Sequence, residues 1–368
     1  MYMLSNVSIE KDLNIILSKK DSSDIKRAIL TELDNNIDEY NFIKKYFNID
    51  STHILSTSHL FNIQKLKNSN VSEIINLRTT NLIHELDKFL NTINYKLPYS
   101  GIYIGRVETY KIKKKKIYLK YPLIINSIVY FFYFFYNRII SKIKPTKSIY
   151  NFLNKNKTKS ISRAEILGRL IASGFEIIEE VSFRNYLYFV VKKVKNPLKN
   201  INPTNGVFIS LNRVGRNGKI FKAYKIRTMH PYSEFLQSYV YKKNNLDKSG
   251  KIKNDFRISR ISRFLRKYWI DEIPMIINLL KGDIKLVGVR PISKHFFSLY
   301  DKKLQKLRNN NTPGFIPPYY ADLPKNMDEI IKSELKYLME YEKNPIRTDL
   351  KYLLLSLKNV FFHGVRSK

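Results

Sequence analysis

Asp271 and Glu272 stand side by side in the stretch "YWIDEIPMIINLLKGD" (268–283). Adjacent carboxylates can cap a helix, act as a nucleophile, or hold a divalent cation. Cations crowd both flanks. Arg257, Arg260, Arg263 and Arg266 recur every third residue ahead of the pair, and Arg290 precedes Pro291 beyond it. Each step of three turns a helix by about 300°, so these arginines drift around the cylinder. Some can then face phosphates while others face lipid headgroups. Further upstream, "KAYKIRTM" ends on Lys225 and Arg227.

The elements that would hold these residues are legible nearby. Pro274 suits a first helical turn, and Met275, Ile276, Ile277, Leu279 and Leu280 form an apolar run that Gly282 can stop. Asp271 and Glu272 then fall at a helix N-terminus, where the dipole favours ionised carboxylates. The stretch "GVFISLNRVGRNGKIFKAYKIRTM" (206–229) reads as two strands around the turn "RVGRNGK". "KGDIKLVGVRP" supplies a further strand that delivers Arg290. The single tryptophan, Trp269, reads as a packing residue near the pair.

The chain of 368 residues has room for two domains, each able to bury a core. Its 66 Lys+Arg against 31 Asp+Glu give a net charge of +35, which calls for an anionic partner: nucleic acid, an acidic membrane face, or phosphate-bearing substrates. Zero cysteines exclude disulfides and thiolate metal sites. The start, "MYMLSNVSIEKDLN", carries no secretory signal pattern.

Residues 1–196 read as an α/β domain, with polar joints such as "NSN" (68–70) and strands at "SGIYIGRVET" (100–109) and "NYLYFVVKKV" (185–194). Between those strands, "RAEILGRLIASGFEIIEE" (163–180) is a helix running through Gly174 into a strand. That stretch resembles the closing elements of nucleotide-dependent methyltransferases. No GxGxG loop stands upstream to hold a cofactor, so the domain reads as degenerate. Residues 197–205, with Pro197 and Pro203, form the linker to a second domain at 206–368.

A membrane candidate interrupts the first domain at 117–143. Tyr121–Asn137, "YPLIINSIVYFFYFFYN", carries no charge; "KIKKKK" (111–116) precedes it, and Arg138, Lys142 and Lys144 follow. As a helix it reaches about 25 Å, short of the roughly 30 Å hydrocarbon core. Basic residues on both sides oppose crossing. The expectation is a segment that dips into or lies along one leaflet, with a buried helix of the soluble domain as the alternative.

"YKIRTM", "NDFRIS", "RKYWIDEIPMIINLLKGD" and "KLVGVRP" stand in one order, and over residues 206–320 this order and spacing resemble the monotopic phosphoglycosyl transferases, the bacterial sugar transferase family. The resemblance implies an α/β catalytic domain that moves a sugar 1-phosphate from a nucleotide diphosphate-sugar, UDP-linked by preference, to polyprenyl (undecaprenyl) phosphate. It implies Asp271 as nucleophile, passing through an aspartyl-phosphosugar, and Glu272 as ligand of Mg²⁺. Arg266 would contact substrate phosphate and Arg290 the nucleotide side, with Arg257, Lys225 and Arg227 as further phosphate-facing cations. The expected place is the cytoplasmic face of a bacterial inner membrane, at the start of polysaccharide, O-antigen or capsule assembly.

Three features depart from the family pattern. The segment before Gly206, "KNINPTN", is polar where the family carries a proline-broken re-entrant helix. Val289 stands where the family's glycine-proline-arginine-proline has its first proline, and "PGFIPPYYADLP" (313–324) replaces a glycine-tryptophan segment. Two alternatives remain from the residues: a basic nucleic-acid-binding protein, and an inactive scaffold of the same fold. No nucleic-acid-binding motif accompanies the charge, so nucleic acid is not expected as a partner.

Overall fold

The computed structural model describes residues 14–15, 22–46, 52–66, 71–140, 159–199, 206–245 and 252–366. The joint at 68–70, most of the linker (200–205), Lys142, Lys144 and the first thirteen residues lie outside the described residues. The chain divides into two compact units: Met1–Asn205 with His230–Arg257, and Gly206–Met229 with Ile258–Lys368. The second domain expected at 206–368 thus gives up residues 230–257 to the first unit.

The first unit is built on a mixed six-stranded sheet. In chain order its strands are β1 (Asn14–Ile15), β2 (Thr52–Leu55), β3 (Glu73–Thr79), β4 (Ile102–Val107), β5 (Phe175–Ser182) and β6 (Leu187–Lys193). In space they run β1-β2-β3-β4-β6-β5, with β2, β3 and β4 parallel, and β6 antiparallel to both β4 and β5. Side chains alternate strictly between two apolar cores, as a pleated strand requires. Leu55, Ile74, Tyr103 and Phe189 enter one core; Ile54, Ile75, Ile104 and Val190 enter the other. The first core receives the helices Leu86–Lys96 and Arg163–Ala172, together with Leu236 and Val240 from the 230–257 excursion. Gly174, at φ +88°, lets the chain turn from the second of these helices into β5.

The uncharged segment forms the helix Leu123–Phe134, ending in a π-type turn, Phe135–Ile139. It follows the lysine-bearing helix Tyr110–Lys120, whose N-terminus Thr109 caps. The segment is not a core helix of its unit. Leu123 is 88% exposed and Ile124 78%, with Ile128, Phe131 and Phe132 also out, while Asn126 is the buried residue of the helix. No helix among the described residues is long and apolar enough to cross a membrane.

The second unit has no large sheet. Strands β7 (Phe208–Val214) and β8 (Ile220–Ile226) make an antiparallel hairpin, and β9 (Lys285–Val287) pairs in parallel with β10 (Gly314–Ile316). Helices Met327–Lys343 and Pro345–Phe362 bring Tyr337, Leu338 and Tyr352 onto Val287, Val289 and Leu304. A smaller cluster seats Met275 and Ile284 on Phe221 and Ala223 of the hairpin.

Candidate active site

The expected helix start at the acidic pair is revised. Residues Ile270–Met275 form a 3₁₀ turn with Pro274 inside it, and the α-helix begins only at Ile276 and ends at Leu280. Trp269 occupies the cap position in the left-handed region, at φ +56°, and no side chain caps the turn. Capping therefore does not account for the two carboxylates. A tryptophan in that conformation costs on the order of 1–3 kcal/mol and persists only where its surroundings fix it. Its indole Nε1–H donates to the Tyr320 hydroxyl, and the two rings meet edge to face with centroids 5.2 Å apart.

The turn is pegged to β8 by a residue that sequence reading passed over. Asn278 is fully buried; its Oδ1 accepts from Tyr224 N–H at 3.0 Å. Its Nδ2 donates to Lys222 C=O at 2.8 Å and to Asp283 Oδ2 at 2.9 Å. The amide thus does for β8 what a third strand would do, satisfying backbone groups beside the hairpin. A polar residue inside "MIINLL" was the available signal, because a buried polar group is the informative exception in an apolar run.

That docking sets Glu272 against Lys225, whose Nζ donates to Glu272 Oε1 at 2.6 Å. Arg290 NH2 donates to the same oxygen at 2.7 Å, while its NH1 reaches the Tyr319 hydroxyl at 2.9 Å. Two glycines make the Arg290 position possible. A Cβ on Gly314 would stand 2.1 Å from Gly288 N, so β9 and β10 can only approach as they do without side chains there. Behind Arg290, the buried Arg308 donates to its carbonyl and pairs with Glu334.

The two carboxyls differ in their electrostatics. Burial pushes Glu272 up, but the Arg290 and Lys225 charges outweigh it and hold the group below the usual glutamate range. Asp271 goes the other way: burial and then the Glu272 charge raise it, against Lys225 and Arg266. The expectation that a helix terminus keeps Asp271 readily ionised is therefore reversed. Desolvation beside a carboxylate dominates, and the carboxylate that results is more basic than an ordinary aspartate.

The remaining candidates separate. Arg266 is half-buried and its Nε donates to Thr228 Oγ1 at 2.7 Å. Arg227 Nε donates to Gly206 C=O at 2.8 Å. Arg260 and Arg263 lie exposed on the helix Arg260–Lys267. Arg257 precedes that helix and belongs to the first unit, where it is buried and paired with Asp255 at 2.7 Å.

A cavity of about 370 Å³ opens beside Glu272, Lys225 and Arg290 and is also lined by Arg213, Phe315 and Tyr319. Arg213 went unnoticed in the sequence because it reads as one more hairpin cation. Among the described residues no group of three His, Asp or Glu side chains could hold a metal on its own. Mg²⁺ is commonly bound by one or two carboxylates with substrate phosphates and water completing the shell. Glu272 fits that sparse pattern, since Lys225 and Arg290 both bond its Oε1 and neither bonds its Oε2.

Comparison with known proteins adds the family context. The family model described as bacterial sugar transferase matches residues 187–363. Galactosyl transferase CpsE of Streptococcus agalactiae serotype III is 38% identical over 157 residues, covering 41% of this chain and 34% of the relative. Undecaprenyl-phosphate galactose phosphotransferase of Salmonella typhimurium is 46% identical over 85 residues, 22% of this chain and 18% of its own length. Uncharacterized sugar transferase EpsL of Bacillus subtilis is 34% identical over 157 residues, 42% of this chain and 69% of that protein. The chain thus spans about a third or less of the first two and most of the third.

Proposed function

The chain belongs to the bacterial sugar transferase family, and from that premise we propose that it transfers a sugar 1-phosphate from a nucleotide diphosphate-sugar to polyprenyl phosphate, opening the assembly of a glycan. The observation that carries the reading is the buried Asp271 beside a Glu272 that two cations, Lys225 and Arg290, hold ionised.

The chemistry uses the asymmetry of the pair. An Asp271 carboxylate oxygen attacks the sugar-bearing phosphorus of the donor. The new O–P bond forms as the bond from that phosphorus to the bridging oxygen breaks, and nucleoside monophosphate leaves with the electron pair. A phosphate oxygen of polyprenyl phosphate then attacks the same phosphorus and expels the Asp271 carboxylate, giving the polyprenyl diphosphosugar. A raised pKa makes Asp271 a more basic, hence better, nucleophile once ionised. Lys225, Arg290 and Arg266 offset the charge of the two phosphates, which would otherwise repel an incoming carboxylate. Bound at Glu272, Mg²⁺ would add Lewis-acid stabilisation of the phosphoryl oxygens. UDP-sugar is the donor we favour, because relatives named for galactose lipid-carrier transfer include a UDP-galactose one.

We place the protein against the cytoplasmic leaflet. The exposed Leu123, Ile124, Phe131 and Phe132, preceded by a helix rich in lysine, support a segment lying in the headgroup region of an anionic bilayer. Changing Ile124 and Phe131 together to Glu should release the protein from vesicles that contain anionic lipid; unchanged binding would sink this placement. The first unit remains a degenerate methyltransferase-like domain in our reading, supported by the helix Arg163–Ala172 and strands β5 and β6 that carry the resemblance. A nucleic-acid-binding role is not favoured.

The deciding experiment incubates the detergent-extracted protein with polyprenyl phosphate and a panel of nucleotide sugars. Release of nucleoside monophosphate together with a polyprenyl diphosphosugar is expected for at least one donor. Free sugar phosphate or nucleoside diphosphate as the product would overturn the reaction class.

A further inference from the structure

We propose that Tyr319 is a positioning residue for the acidic pair: by taking one arm of the Arg290 fork, its hydroxyl keeps Arg290 singly bonded to Glu272 and leaves Glu272 Oε2 open to Mg²⁺. The proposal deepens the transferase reading and rests on it for the part that Mg²⁺ plays. Tyr319 lies in "PGFIPPYYADLP" (313–324), where the chain departs from the family pattern.

Arginine and carboxylate commonly pair fork to fork, through two parallel N–H···O bonds. Arg290 and Glu272 do not. Arg290 NH2 donates to Glu272 Oε1 at 2.7 Å, while NH1 reaches the Tyr319 hydroxyl at 2.9 Å. Lys225 Nζ takes the same Oε1 at 2.6 Å. Both cations thus crowd one carboxylate oxygen, and neither bonds the other. Without the Tyr319 hydroxyl, NH1 would lose its acceptor, and Oε2 stands next to the oxygen that NH2 already holds. Arg290 is half-buried, so its guanidinium has room to turn. The fork would then close on the carboxylate and cover Oε2 with a donor that a metal ion must displace.

The Tyr319 hydroxyl suits this task because it is both fixed and neutral. Asn359 Nδ2 donates to Tyr320 C=O and to Ala321 C=O, each at 2.9 Å, and so clamps the short helix Tyr319–Asp322 to Pro345–Phe362. The Tyr319 and Tyr320 rings meet edge to face with centroids 4.8 Å apart, and the Trp269 indole holds the Tyr320 hydroxyl. Burial outweighs the Arg290 charge and raises the Tyr319 phenol above its usual range, so it stays protonated at pH 7. A carboxylate in its place would hold NH1 equally well, but it would cancel charge that Arg290 offers to phosphate.

The test reads the metal directly, with Mn²⁺ as the probe and the full-length protein in detergent. Mn²⁺ affinity is measured by electron paramagnetic resonance, without donor, on wild type, Glu272→Gln, Tyr319→Phe, Arg290→Lys and the double variant of the last two. Wild type should bind Mn²⁺, and Glu272→Gln should bind it far more weakly. Tyr319→Phe should weaken Mn²⁺ roughly 10-fold, as the loss of a group that orients a metal ligand does. Lysine has no fork to close, so adding Tyr319→Phe to Arg290→Lys should weaken Mn²⁺ by less than about twofold. A loss that comes from packing alone would be the same with either residue at 290, and that result would overturn the proposal. Mn²⁺ held equally by wild type and Tyr319→Phe, held equally by Glu272→Gln, or not bound by wild type would each overturn it as well. Turnover is followed separately against Mg²⁺, where Tyr319→Phe should raise the half-saturating concentration roughly 10-fold. If Mn²⁺ behaves as expected and no donor releases nucleoside monophosphate, the transferase reading fails and the role of Tyr319 stands. If turnover proceeds and Mn²⁺ affinity ignores Tyr319→Phe, the role of Tyr319 falls alone.

Discussion

Each unit of the molecule sets a glutamate against an arginine, and the two clusters are built to opposite ends. In the first unit Glu39 accepts from the Tyr188 hydroxyl at 2.5 Å and lies 3.8 Å from Arg106. Arg106 in turn donates to Tyr188 and to Glu32 C=O. One carboxylate meets one cation, the Tyr188 hydroxyl bonds both, and burial still raises Glu39. In the second unit Glu272 meets two cations, a third stands nearby, and the group is pulled down instead. A matched pair fixes a fold. A surplus of cations, held open to a cavity, leaves attraction to spare for something that is not protein.

The sharpest way to break the comparison is Asp271→Asn. It removes the attacking oxygen, and release of nucleoside monophosphate should fall by at least ~10³-fold, about 4 kcal/mol of barrier. No phosphosugar adduct should appear by mass spectrometry after donor alone. Stability should move the opposite way. A carboxyl whose folded pKa is raised binds its proton more tightly when folded, so it weakens the fold as pH climbs through the raised value. Asn has no such charge, and the variant should melt at or above wild type at pH 7. A clear drop in melting temperature would contradict the electrostatics assigned to Asp271.

Arg106→Leu breaks the matched cluster instead. It strands Glu39 in the core and should cost about 3 kcal/mol in denaturant unfolding. Product release per folded molecule should stay as it was. Activity lost in proportion to neither stability nor folded fraction would mean that this cluster is not the closed structural device described.

Glu272→Gln comes next, with a loss of roughly 10- to 100-fold in the first half-reaction and partial recovery at raised Mg²⁺. Because Glu272 is depressed in the folded state, its stabilising contribution is present above the usual glutamate range and lost only as pH falls through the lowered value. Wild type and Glu272→Gln should therefore converge in stability at acid pH and separate at neutral pH. Curves that stay parallel would remove the ion pairs from the account.

Trp269→Phe should have the smallest effect, about 1 kcal/mol for the lost bond to Tyr320, with turnover retained. If turnover vanished in a protein that melted normally, the indole would have a place in the chemistry.

What the sequence made legible was local. The β7–β8 hairpin, the strand before Arg290 and the stop at Gly282 follow from alternation and turn residues within a few positions of each other. Asp271 and Glu272 were visible because adjacent carboxylates in so basic a chain stand out. The rest depended on partners far along the chain. Arg213 and Arg290 lie on separate elements, which the Val214–Ile292 hydrogen bond ties together. Arg257 keeps a three-residue phase with Arg266, but Asp255 and Gln237 claim its guanidinium inside the other unit. The 3₁₀ turn replaced the expected helix start because Trp269 is held left-handed, a choice made by Tyr320 some fifty residues away.

The excursion at 230–257 has an evolutionary corollary. Tyr232 gives its hydroxyl hydrogen to Asp87, and its backbone lies so close to Gly168 that a Cβ there would stand 2.3 Å from Tyr232 C=O. Leu236 and Val240 are wholly inside the first unit's core. The backbone therefore passes between the units near residues 205, 229 and 257 instead of once. A recombination event joining a transferase half to a foreign N-terminal half at the 197–205 linker would leave Leu236, Val240 and Tyr232 with no socket. Shuffling that swaps the first unit must therefore also rewrite residues 230–257.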